Sequence, residues 1–77
     1  MNAESSDLKE LLLRTDTDFR SLAEKHHQLE DRLNELTSRH YLSEPEQVEE
    51  VTLKKRKLAL KDRMENILRH YQAAPHQ

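Results

Sequence analysis

The chain contains neither glycine nor cysteine. Without glycine it has no phosphate-cradling loop of the Walker or Rossmann kind, because both need backbone conformations that glycine supplies. Without cysteine it has no disulfide, thiolate zinc site or cysteine nucleophile, and the absence says little about compartment. No apolar run approaches the ~20 residues that a membrane-spanning helix needs. The opening stretch, MNAESSD, lacks the basic-then-apolar layout of a secretory leader. The expectation is a soluble, cytoplasmic protein with no membrane partner. The formal net charge of −2 gives no global pull toward nucleic acid.

A length of 77 residues predicts a single domain over 1–77. Hydrophobic residues make up 34% and charged residues 36%, which suits long solvent-washed helices better than a compact globule. Leu8, Leu12, Thr15, Phe19, Leu22, His26, Leu29, Leu33 and Leu36 follow one another at steps of four and three. This is a heptad seam whose a and d positions face a partner. It predicts a first helix over about 6–39, roughly 50 Å long at 1.5 Å per residue. Thr15, Asp16, Thr17 and Asp18 are poor helix formers whose side chains compete for backbone hydrogen bonds. A kink or short break is expected at 15–18, with Asp16 or Thr17 as a second N-cap.

Ser43-Glu44-Pro45-Glu46 reads as a helix start, with a capping serine, proline in the first turn and glutamate three residues after the serine. The acids Glu44, Glu46, Glu49 and Glu50 suit the positive end of the helix dipole. A second helix is expected over about 44–72, after a turn at 40–43 and before a loose tail at 73–77. With no glycine available, His40 is the expected left-handed residue closing the first helix. The second helix has its own seam: Leu53, Lys57, Leu60, Met64, Ile67 and Tyr71. A short link forces antiparallel neighbours. If Leu33 meets Leu53, then Leu29 meets Lys57, His26 meets Leu60, Leu22 meets Met64, Phe19 meets Ile67 and Thr15 meets Tyr71. The predicted fold class is all-α: a two-helix antiparallel coiled-coil hairpin that self-associates into a four-helix assembly.

The stretch LKKRKLALKDRM, Leu53–Met64, divides on this register. Leu53 and Leu60 point inward, while Lys54 and Lys61 lie at the edge where Glu30 can pair with either. At the other edge Lys25, Arg32 and Arg39 align with Arg56 and Arg63, with few acids between. A solvated face is the favoured reading of this stripe, and phosphate contact with nucleic acid is the alternative. No aromatic residues interleave for base stacking. Lys57 sits on the seam, where its stem can line the core while its ammonium reaches out. His26 on the same seam reads as a tolerated core residue.

Apolar residues remain outside the seam. Val48, Val51 and Leu58, with Leu68 nearby, mark a second face of helix 2, and Leu11 and Leu13 lie off the seam of helix 1. Leftover apolar stripes mark interfaces, so a homo-oligomer is expected, a dimer first, with room for an unidentified protein partner. Glu24 and His27 form a single E-x-x-H on the outer face, with no second copy on helix 2. The pairs His26–Glu30 and His27–Asp31 read as surface polar pairs. No metal, cofactor, small-molecule substrate or enzymatic activity is expected, since two helices enclose no concave pocket.

Phe19-x-x-Leu22-x-x-x-His26-x-x-Leu29, followed by Leu53-Lys54-Lys55-x-Lys57-Leu58-x-Leu60-Lys61-Asp62-x-Met64, resembles the YdcH-like family of small bacterial proteins, a domain of unknown function. The similarity covers about residues 7 to 71, and the K-x-K-L-x-L-K-D stretch is its specific part. The resemblance implies a bacterial cytosolic protein, an antiparallel helical hairpin and a tendency to self-associate. It implies no established activity. Members often carry Asn-Pro before the phenylalanine, a helix break, where this chain has Asp16-Thr17.

Overall fold

The computed structural model describes residues 3–73. It contains α1 (Ala3–Thr15), α2 (Thr17–Thr37) and α3 (Glu44–Ala73), and no strand occurs among the described residues. The all-helical expectation holds, with three helices where two were predicted. Of the predicted tail at 73–77, residue 73 is still part of α3, and 74–77 lie outside the described residues.

The division falls at Asp16, whose backbone is extended (φ −110, ψ 111). Its N–H donates to the Leu12 carbonyl at 2.8 Å, and its own carbonyl accepts from the Arg20 N–H at 3.0 Å. One carboxylate oxygen accepts from the Phe19 N–H at 2.9 Å. Asp16 therefore finishes α1 and caps α2, giving an orphan amide of α2 a side-chain partner. Beyond it α1 leaves the axis of α2. Leu13 shares a shallow hollow of about 310 Å³ with Ala23, Glu24 and His27. A straight continuation would set Leu13 roughly 20 Å from His27 along the axis.

α2 closes without a left-handed residue, because no described residue has positive φ. The expectation for His40 was wrong. The last turn tightens instead: the Ser38 N–H donates to the Asn34 carbonyl and the Arg39 N–H to the Leu36 carbonyl. The Thr37 and Ser38 hydroxyls donate to the carbonyls of Asn34 and Glu35. These bonds satisfy the terminal carbonyls that a left-handed residue would otherwise serve. α3 opens with a reciprocal box. The Glu46 N–H donates to the Ser43 hydroxyl at 3.3 Å, and the Ser43 N–H donates to the Glu46 carboxylate at 3.0 Å. Each residue satisfies a donor of the other.

α2 and α3 run in opposite directions along each other. Arg39 meets Glu46, Arg32 meets Glu49, Glu30 meets Lys57, and Asp16 of the α1–α2 junction meets Tyr71. Leu33, Leu36 and Leu53 bury in one cluster, with Leu29 and Leu42 packed against it. Leu12 and Phe19 are buried on either side of the break. Leu22, His26, Leu29, Lys57, Leu60, Met64 and Ile67 are half-buried, since two helices cover only one stripe of each other and leave its edges open. Thr15 and Tyr71, predicted to face each other, are exposed. Asp16 takes the place opposite Tyr71, one residue from the expected position. The molecule measures 53 × 22 × 18 Å.

Candidate interaction surfaces

The five basic residues of the predicted stripe separate into two groups. Arg32 is committed internally. Its Nε and Nη2 donate to the two carboxylate oxygens of Glu49 at 2.7 and 2.9 Å, and its Nη1 donates to Glu35 at 2.8 Å. This two-point grip raises the guanidinium pKa further above its ordinary value, through Glu49 first and Glu35 second. The same bond with Arg32 holds the Glu49 carboxyl below the usual carboxylate range. Arg39 pairs with Glu46. The expectation of few acids along this edge therefore fails at two of its positions. The cause is legible in spacing: Glu46 and Glu49 precede Leu53 at steps of three and four, so they start the inward stripe of α3 and straddle the line to α2.

Glu46 is held below its ordinary value foremost by the Ser43 backbone N–H, then by the Ser43 hydroxyl, with Arg39 adding to the effect. Glu30 pairs with Lys57 at 3.0 Å, not with Lys54 or Lys61. That bond, and then the charge of Lys57, lowers the Glu30 pKa. Lys57 is half-buried and its stem spans the seam to reach this carboxylate. Lys54 turns back along its own helix to Glu50, 3.6 Å away. His27 approaches Asp31 at 3.5 Å on the exposed face of α2.

Lys25, Arg56 and Arg63 form the other group. They rim a shallow groove of about 350 Å³ between α2 and α3, with Leu29, Ala59 and Leu60 among its lining. None of the three cations enters the ion pairs found among the described residues.

The outward side of α3 carries three large apolar side chains among charged and polar ones. Val48 is 66% exposed, Val51 53% and Leu58 61%. Leu68 is half-buried, so it does not extend this face; the position after Ile67 turns only about 100° from the seam. Leu11 and Leu13 are exposed on either side of buried Leu12. About 200° of helix separates them, so they form two edges and no single patch.

Asp16 takes the cap that the sequence offered to it or to Thr17, and adds a contact that the sequence did not announce. Besides capping α2, its second carboxylate oxygen accepts from the Tyr71 hydroxyl at 3.2 Å. That bond, together with the Asp16 charge, raises the Tyr71 pKa. Its signal in the sequence was the run of short polar residues at 15–18, which marks the cap but not the distant phenol. No helix among the described residues is long and apolar enough to cross a membrane.

A family model described as a protein of unknown function (DUF465) matches residues 19–68. No curated protein and no solved structure matches the chain. The matched segment takes in Phe19, the turn, the buried cluster and most of α3. The chain belongs to the DUF465 family of small proteins of unknown function, to which the YdcH-like proteins also belong.

Proposed function

We propose that this protein is a non-enzymatic interaction module of bacterial cytoplasm, in which α2 and α3 act as an antiparallel coiled-coil hairpin that self-associates into a four-helix assembly. One observation carries the reading. The inward stripe of α3 buries Leu53 while its outward stripe leaves Val48, Val51 and Leu58 more than half exposed. Large apolar side chains aligned on one helix face, with none of the described residues covering them, favour a partner helix. Sedimentation equilibrium from about 1 to 500 µM tests it, a range set to bracket ordinary helix-pairing affinities. The expected result is reversible growth in mass to twice the monomer. A monomer throughout that range contradicts it.

A second reading rests on Lys25, Arg56 and Arg63, which rim one groove and enter no ion pair among the described residues. They form a reduced phosphate-contact site, with Arg32 and Arg39 now withdrawn from it. Gel-shift titration with RNA and DNA across a salt series is the test, because phosphate contacts weaken steeply with salt. Binding lost in an Arg56→Glu, Arg63→Glu variant supports it, and no binding at low salt removes it.

A further inference from the structure

The outward face of α3 carries both halves of a packing contact. Val48, Val51, Thr52 and Lys55 stand at the i, i+3, i+4, i+7 spacing of a coiled-coil hole. Together with Glu44 and Gln47 they line a shallow hollow of about 620 Å³. Leu58 follows Lys55 at the next seam step and projects from the same face, 61% exposed. It is a knob that no hole among the described residues receives. A knob and a hole on one rigid face satisfy each other between two copies, and an antiparallel two-fold arrangement closes the pair without leaving free ends.

Charge along α3 selects the same arrangement. The acids Glu44, Glu46, Glu49 and Glu50 come first, and Lys54, Lys55, Arg56, Lys57, Lys61 and Arg63 follow, interrupted only by Asp62. Arg32 and Arg39 offset part of the acidic stretch, and Glu30 offsets part of the basic one. The sign of each stretch is unchanged. Antiparallel pairing lays the acidic stretch of one copy beside the basic stretch of the other, whereas parallel pairing stacks like on like.

We propose that the occupant of this face is α3 of a second copy, antiparallel, about a two-fold axis passing between Val51 and Lys55. Leu58 of each copy enters the hollow of the other, and the two α2 helices lie outside. Leu11, Leu13 and Leu68 take no part. The proposal rests on the self-association reading and adds its face, direction and register. Two residues are discordant: Lys55, whose charge lies near the axis and meets the same charge of the second copy, and Asp62, which this register brings near Glu44 of the second copy.

The chain has no cysteine, so single introduced cysteines report position cleanly. Lys54→Cys sits beside the axis, and a short bismaleimide should link two copies efficiently. Arg69→Cys lies on the same outward side but roughly 45 Å from its counterpart at 1.5 Å per residue, and should not link. In sedimentation equilibrium Leu58→Glu should raise the dimer Kd about a hundred-fold, roughly tenfold for each of the two leucines withdrawn. Its helical circular dichroism should be unchanged, since Leu58 lies outside the buried core. Lys55→Leu should lower the Kd about tenfold, a gain that misfolding cannot imitate. A wild-type dimer that ignores Leu58→Glu, or that links through Arg69→Cys as well as through Lys54→Cys, overturns the proposal and leaves self-association standing. A wild-type monomer at every concentration overturns both.

Discussion

At the turn, Leu33, Leu36 and Leu53 bury against one another, and the cluster is bracketed by the Ser43–Glu46 box and the Arg32–Glu49 and Arg39–Glu46 pairs. At the far end of α2 and α3, Tyr71 is 46% exposed and reaches the α1–α2 junction through its hydroxyl, which donates to Asp16. The turn end combines apolar burial with charged groups that converge on it from both helices. The open end buries Leu12 and Phe19 at the break, but α3 brings it only half-buried side chains, Met64 and Ile67, and a polar link to the aspartate that also caps α2 and terminates α1. Local stability follows buried apolar contact more than the number of polar links, so the turn end should outlast the open end under most challenges.

The largest expected effect tests the strong side of this contrast. Leu36 is fully buried, and Leu36→Ala should lower the unfolding free energy by about 3 kcal/mol, the usual loss for a buried leucine. Urea denaturation followed by circular dichroism would measure it. A loss under about 1 kcal/mol would mean that the cluster does not anchor the fold. Asp16→Ala comes next, at about 1 kcal/mol for loss of the cap. Its distinctive result is local: amide exchange should quicken at the start of α2 and the end of α3 together, while the residues around Leu33 and Leu53 keep their protection.

pH separates the two ends in opposite directions. Glu30, Glu46 and Glu49 have folded pKa values below the ordinary glutamate value of about 4.3. Their stabilisation is fully present above that value and is lost as pH falls through the lowered folded values. Tyr71 is shifted upward, so its contribution is fully present below about 10 and is lost as pH rises through the raised folded value. Acid should therefore loosen the turn-side pairs first, and alkali the Tyr71 tether. Resonance shifts of residues 46–53 and 66–72 followed across both limbs would check this, and the same end responding first on both limbs would contradict it. The smallest effect belongs to Tyr71→Phe, which should leave the urea midpoint nearly unchanged and quicken exchange only in the last turns of α3.

The parts legible in the sequence were those fixed by local spacing. The seam leucines announce which stripe of each helix faces inward, Ser43 and Glu46 spell out their reciprocal cap, and the polar run at 15–18 locates the break. What was not legible depended on where long side chains reach. The basic stripe looked free of acids because Glu46 and Glu49 were read as dipole partners of α3, although their spacing to Leu53 turns them toward Arg39 and Arg32. Lys57 reaches Glu30 because a four-carbon stem crosses the seam, a span that pairing by register does not register. His40 was assigned a left-handed role for want of glycine, but hydroxyls and a tightened turn close α2 in ordinary backbone. The turn of α1 back against α2 followed from no periodicity, since the seam runs through Asp16 without slipping while the backbone does not.

Hydrogen exchange resolved by residue tests the contrast between the ends most directly. The predicted result is highest protection at 29–36 and 49–57, intermediate protection through the rest of α2 and α3, and the lowest protection in α1, which buries Leu12 alone among its described side chains. Protection in α1 equal to that around Leu33 and Leu53 would contradict it.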